Sequence, residues 1–253
     1  MSGKKLKIRT AASGPYCLLP LKSKLMKTNA QSGSAQASHP QHFRLDGKGI
    51  ELSRGQNQIC IDLDFSVSSG EILVLRGPNG SGKSSLLRAI AGFLPLTAGE
   101  ISCNDWPFNA YRQEMPANAL QCLWYAQEDG LATALTSLDN LSLMPQSARR
   151  ADVEEQLCRY DPFGIASFLH QPIRSLSSGQ RQRVALTRLC FSPSAKFLWL
   201  LDEPNSGLDR AGLKALEAVL AAHQEAGGLS IVASHHPLDS RLTPRYLDLL
   251  IKE

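Results

Sequence analysis

Two stretches of this chain hold residues whose types and spacing can do chemistry. Gly77-Pro78-Asn79-Gly80-Ser81-Gly82-Lys83-Ser84 fits the phosphate-loop template G-x-x-x-x-G-K-[ST] at every fixed position. Gly77, Gly80 and Gly82 carry no Cβ, so the backbone there can curl closely around an anion. A helix starting after them would aim further N–H groups at it. Lys83 would reach the β- and γ-phosphates of a nucleoside triphosphate, and the Ser84 hydroxyl would ligate Mg²⁺. Ser85 completes the expected nucleotide contacts. The second stretch is Asp202-Glu203-Pro204, directly after the apolar run Phe197-Leu198-Trp199-Leu200-Leu201. An Asp at the C-terminal end of such a strand can hold Mg²⁺, usually through water, and so complete the site that Lys83 and Ser84 begin. Glu203, next in line, can polarise the water that attacks a γ-phosphate.

These groups need a scaffold. Glu71-Ile72-Leu73-Val74-Leu75 reads as a buried strand feeding the loop, and Ser85 to Ala91 has helical spacing after it. Phe197 to Leu201 is continuously apolar, as a parallel strand covered on both faces requires. Ile50-Glu51-Leu52 and Ile59 to Val67 alternate apolar and polar residues, which predicts half-exposed antiparallel strands. Thr97 to Ile101 starts a further short strand, and Leu123 to Ala126 reads as a buried strand ending at Gln127. Helical stretches such as Ala151 to Tyr160 follow, interrupted by Pro145, Pro162 and Pro172. They suggest a helical subdomain, about 128–185, inserted into an α/β core. Ser177 to Leu189 opens as a helix, Leu213 to His223 is amphipathic, and Leu229 to Ser234 reads as the final core strand, ending at His235-His236.

The composition sets limits. A length of 253 residues with 43% apolar residues suits one large α/β domain or two small ones. The net charge of +4 misleads. Eight of the 27 basic residues and no acidic ones lie in 1–45, which leaves 19 basic against 23 acidic residues beyond it. The remainder is therefore acidic, and a nucleic-acid-binding face is not indicated. Six scattered cysteines without a C-x-x-C pair argue against zinc or a disulfide framework and suit buried thiols in a reducing compartment. His39, His42, His170 and His223 are scattered and form no haem-ligand set. No apolar run reaches the roughly 18 residues needed to span a membrane. Residues 1–41 are Ser-, Gln- and Lys-rich and read as a disordered basic leader before a cassette over 42–253. The leader suits either an organelle transit peptide or a bacterial extension, and its scarcity of Arg favours the second.

Leu176-Ser177-Ser178-Gly179-Gln180 resembles the signature motif of ABC-type ATPases, placed ahead of Asp202-Glu203-Pro204 as in that family. Gln127 resembles the Q-loop glutamine, followed by Leu135-Thr136-Ser137-Leu138-Asp139-Asn140. Ser206-Gly207-Leu208-Asp209 resembles the D-loop and His235 the switch histidine. Six motifs thus stand in the family's order over residues 43–236. The resemblance implies a P-loop NTPase fold of the ABC-cassette type: an α/β protein with a mostly parallel core sheet, an N-terminal antiparallel β subdomain and an inserted helical subdomain. It also implies a head-to-tail homodimer in which Ser177, Gly179 and Gln180 face the γ-phosphate held by the partner's phosphate loop. Gln127 would contact Mg²⁺ and move with the helical subdomain, and His235 would hold the γ-phosphate and the attacking water. Two positions depart from the pattern. Ser178 stands where the family usually has Gly, and Arg54 stands where many cassettes stack an aromatic residue on adenine. A guanidinium can also stack on a base.

At a finer level the chain resembles the ATPase subunits of the haem exporter of cytochrome c maturation. The resemblance is carried by Gln121-Cys122-Leu123-Trp124, Pro172 to Arg183, Leu198 to Pro204 and Gly227 to Leu238. It implies ATP hydrolysis coupled to polytopic Ccm-type membrane subunits, with the membrane reached only through those partners. The setting it implies is the cytoplasmic face of a bacterial inner membrane, or alternatively the matrix side of the mitochondrial one. The competing readings are the ATPase of another importer or lipid exporter, or a non-transport ABC ATPase acting on ribosomes or DNA. One cassette, and fewer than fifty residues between Gln127 and Leu176, count against the non-transport class.

Overall fold

The structure is a computed structural model, which describes residues 42–54, 57–108, 120–126, 130–143, 150–192 and 195–249. The leader, residues 1–41, lies outside the described residues, as does Gln127.

A five-stranded parallel sheet sets the edge at which the candidate site residues gather. Its strands are β3 (Ile72–Arg76), β6 (Gln121–Tyr125), β7 (Phe197–Asp202), β8 (Leu229–Ala233) and β9 (Arg245–Asp248), in the order β6-β7-β8-β3-β9. Every pairing is parallel, so all five C-terminal ends point to one edge. β7 shows why the apolar run is unbroken. Trp199 and Leu201 pack into one core with Leu123, Leu216 and Val232, while Leu198 and Leu200 pack into another with Leu73, Ile231 and Leu86. Successive side chains point to opposite faces, and both faces are covered.

The first face carries α4 (Ser178–Thr187) and α5 (Arg210–Glu225), together with the helical region between β6 and β7. That region contains α2 (Ser137–Ser142) and α3 (Arg150–Arg159). Thr136 caps α2 by accepting from the Asp139 N–H, and the Asp139 carboxylate returns the bond to the Thr136 N–H. Buried Asn140 ties this turn down through Ala132 and Thr136. The amphipathic stretch expected near 213–223 is α5, which buries Ala215, Leu216, Val219 and Leu220.

The second face carries α1 (Lys83–Ile90) and a four-stranded antiparallel sheet in the order β2-β1-β4-β5. Its strands are β1 (Arg44–Arg54), β2 (Asn57–Ser68), β4 (Ala98–Cys103) and β5 (Trp106–Pro107). The alternation over Ile59 to Val67 therefore does mark an antiparallel strand, with Phe65 and Val67 buried.

One expectation needs correction. β8 is not the last strand, because β9 adds on the far side of β3. Arg245-Tyr246-Leu247-Asp248 is largely exposed and held by backbone hydrogen bonds, so it carries no apolar run. Cys17 lies outside the described residues, and burial varies among the other cysteines. Cys103 and Cys190 are buried, Cys60 and Cys122 are half-buried, and Cys158 is exposed. Burial pushes the thiols of Cys103 and Cys122 up to about 11 and about 12, which keeps them protonated and unreactive.

No described helix is long and apolar enough to cross a membrane.

Candidate active site

The phosphate loop leaves β3 and enters α1. Gly77 has φ 149°, and a Cβ there would lie 2.4 Å from the Leu249 carbonyl oxygen just beyond β9. Gly82 precedes α1 in the left-handed region at φ 95°, and a Cβ there would meet Ile59 at 2.4 Å. Both positions exclude any larger residue, which is the tight approach of backbone that the motif demands.

Lys83 is only 6% exposed. Its Nζ donates to the carbonyls of Gly77 at 2.8 Å and Pro78 at 3.0 Å, and it forms no ion pair among the described residues. A buried ammonium held by neutral carbonyls alone is short of a counter-charge, so the loop is electrostatically prepared for an anion. Ser81 is also buried, with its Oγ unpartnered among the described residues.

In the first turn of α1, the Ser84 hydroxyl donates to Asp202 Oδ1 at 2.9 Å. Asp202 ends β7 and is 7% exposed. A hydroxyl and a carboxylate in contact form a hard-oxygen donor set, the chemistry that suits Mg²⁺.

Glu203 follows in a left-handed backbone conformation, φ 49°, which is strained for a side chain of this kind. Its N–H donates to the Ala233 carbonyl of β8 at 3.0 Å, and its carbonyl accepts from the Ser206 N–H at 3.1 Å. His235, two residues beyond β8, brings Nε2 to 3.3 Å from Glu203 Oε1. The separation is that of an ion pair, yet the angles make no hydrogen bond, so Oε1 is buried without one.

The signature residues sit elsewhere in the chain. Ser177 caps α4: its Oγ accepts from the Gln180 N–H, and the Gln180 side chain accepts from the Ser177 N–H at 2.9 Å. Gly179 faces open space. No hydrogen bond or ion pair among the described residues joins Ser177, Gly179 or Gln180 to the phosphate loop, Asp202, Glu203 or His235. Within one chain the structure therefore brings together Lys83, Ser84, Asp202, Glu203 and His235, and leaves the signature turn outside that group. Gln127 and the side chain of Arg54 lie outside the described residues.

Several residues that the motifs did not single out connect these parts. Gln182 of α4 donates to the carbonyls of Pro204 and Ser206. Arg183 donates to the Phe163 carbonyl at 3.2 Å and to Asp209 Oδ2 at 2.8 Å. Asp209 Oδ1 in turn caps α5 through the Gly212 N–H at 2.8 Å. Asn205 and Ser234 are buried and bonded to each other at 2.9 Å. Their only sequence signal is that each adjoins a motif residue.

Comparison with known proteins shows the family and the fold. The ABC transporter family model matches residues 60–206. A relative from Pseudomonas savastanoi pv. phaseolicola, the cytochrome c biogenesis ATP-binding export protein CcmA, is 41% identical over 205 residues, covering 81% of this chain and 93% of its own length. A protein of the same name from Paramagnetospirillum magneticum is 40% identical over 194 residues, covering 74% and 86%. Among solved structures, an ATP-binding subunit of an ABC transporter aligns with a TM-score of 0.66 at 22% identity, covering 83% of this chain and 88% of that one. A bacterial Atm1-family ABC exporter with ATP bound aligns at 0.67 and 21% identity, covering 88% and 41%. The structures speak for the fold, and the sequence relatives for the family. The chain belongs to the ABC transporter family as an ATP-binding, ATP-hydrolysing subunit similar to the CcmA proteins.

Proposed function

We propose that this chain is the ATPase of an export complex of cytochrome c biogenesis, the haem exporter whose ATPase subunits its sequence resembles. Lys83 carries the reading: it is a buried cation without a counter-charge among the described residues, set in a glycine loop beside Ser84, Asp202 and Glu203. In the proposed reaction Lys83 and the loop N–H groups hold the β- and γ-phosphates. Ser84 and Asp202 would hold Mg²⁺, with Gln127 as a further ligand; bound there, the ion would neutralise phosphate charge. Glu203 takes the proton of the attacking water, and His235 orients that water and the γ-phosphate.

Two copies meet head to tail, so that Ser177, Gly179 and Gln180 at the start of α4 face the partner's γ-phosphate through a helix N-terminus. Closure of the pair drives polytopic Ccm-type membrane subunits, and the chain reaches the cytoplasmic face of the inner membrane through them. The relatives' printed function and the reach of the match, 93% of one relative's length, support this reading.

Purification of the tagged chain from solubilised membranes tests it. Small polytopic membrane proteins should accompany it in constant ratio. Recovery with ribosomes, or with a permease of another type, would overturn the export reading.

A further inference from the structure

The two groups assigned to hydrolysis lie on different loops. Glu203 begins the loop after β7, and His235 lies on the loop after β8. The strands are neighbours, and their register ends at the pair Asp202 and Ala233. One further backbone bond, from the Glu203 N–H to the Ala233 carbonyl, continues the tie. Beyond it the ladder no longer holds the loops together, yet Glu203 keeps a strained φ of 49° and His235 stays 3.3 Å from its carboxylate. A strained residue persists only where its surroundings over-determine it.

The link is a side-chain network next to both groups. Asn205 and Ser234 are 7% and 2% exposed. Asn205 Nδ2 donates to Ser234 Oγ at 2.9 Å. The same hydroxyl donates to the His236 carbonyl at 2.8 Å and accepts from the His236 N–H at 3.0 Å. One donor and two acceptor positions exhaust what a hydroxyl can do. Ser234 thus clamps the backbone on the far side of His235, closing a short turn around it. Asn205, two residues past Glu203, fastens that turn to the loop after β7. A buried bond of this kind resists slippage, because breaking it would strand polar groups away from water.

We propose that Asn205 and Ser234 are positioning residues that hold Glu203 and His235 in register for hydrolysis. Neither bonds by its side chain to the phosphate loop, so the pair acts on the chemical step and leaves nucleotide binding alone. The inference rests on the hydrolytic roles given above to Glu203 and His235.

Steady-state ATP turnover of the full-length chain with its membrane partners, with ATP affinity measured in parallel, tests it. Ser234→Ala and Asn205→Ala should each lower kcat by about tenfold to a hundredfold, the scale of a misplaced catalytic group. KM should stay within about threefold of wild type, the pattern of a lost transition-state interaction. The double variant should lose no more than the worse single one, because both remove the same link. Ser234→Thr, which keeps the hydroxyl, should retain turnover. Should the alanine variants fail to fold, Ser234→Cys keeps the volume with a weak hydrogen-bonding group and should show the same split.

Glu203→Gln distinguishes the two levels of the argument. Wild-type turnover in Glu203→Gln removes the hydrolytic reading and this proposal with it. Lost turnover there, with wild-type kcat in both Ser234→Ala and Asn205→Ala, overturns the link alone. Losses that multiply in the double variant, or a rise in KM matching the fall in kcat, also overturn it.

Discussion

The hydroxyl of Ser84 donates a 2.9 Å hydrogen bond to the carboxylate of Asp202, joining residues 118 positions apart in the chain. One sits in the first turn of α1 and the other at the end of β7. Neither segment alone offers both a hydroxyl and a carboxylate to a cation; the parallel sheet brings them to one edge.

A prediction for the metal follows from that contact. Ser84→Ala and Asp202→Asn should each raise the Mg²⁺ concentration needed for half-maximal ATP turnover by about tenfold to a hundredfold, the scale of one hydrogen bond to a charged group. A Mg²⁺ titration of turnover checks this. Chelation of divalent ions should abolish turnover in the wild type and leave the folded state intact by circular dichroism.

A second prediction concerns the signature turn, which lies outside the group formed by Lys83, Ser84, Asp202, Glu203 and His235. Lys83→Ala disables the phosphate loop and Ser177→Arg disables the signature turn. Each variant alone should be inactive. Mixed and reassociated, the heterodimers should recover one working site per pair. A mixture in which heterodimers form and no turnover returns would contradict head-to-tail pairing.

A third prediction concerns His223, on the buried side of α5. Its ring stacks on Trp199 with centroids 3.6 Å apart and planes 3° apart, and its Nε2 lies 3.2 Å from the Leu229 carbonyl. Burial disfavours the charged ring and lowers its pKa from 6.5 to about 4. The unfolded chain takes up this proton near pH 6.5, and the folded chain only near 4. Stability is therefore lost as pH falls from about 6.5 to about 4 and levels off below, by about 3 kcal/mol in all. Denaturant melts across that range should show the slope, and His223→Phe should flatten it. A Cβ on Gly228 would lie 2.0 Å from the His223 ring, so Gly228→Ala should destabilise by about 1–3 kcal/mol.

Much of the site was legible because its signals are local. The phosphate loop is a contiguous motif between a strand and a helix, and Gly77 and Gly82 carry the positive φ values such a loop needs. Asp202 and Glu203 could be placed at a strand end because Phe197 to Leu201 is apolar without a break, and such a run occurs where both faces of a strand are covered. β9 was missed for the opposite reason. It is an exposed edge strand that pairs through its backbone with β3, and neither periodicity nor composition marks it. The contacts of Arg183 with Asp209 and of Asn205 with Ser234 were missed because each joins segments whose approach depends on the packed sheet.

By itself, then, the sequence determined the kind of chemistry: a triphosphate loop, an acidic pair after a buried strand, and a signature turn, in an order that names the family. These are local patterns of residue type, and they survive without knowledge of the fold. Only the tertiary structure decided which of them meet in one chain. Strand order placed Ser84 against Asp202 and Glu203 beside His235, joined the start of α4 to them by no hydrogen bond or ion pair among the described residues, and buried the bonded pair Asn205 and Ser234 on the loops after β7 and β8. Such contacts arise from long-range parallel pairing, whose geometry no short window of residues encodes.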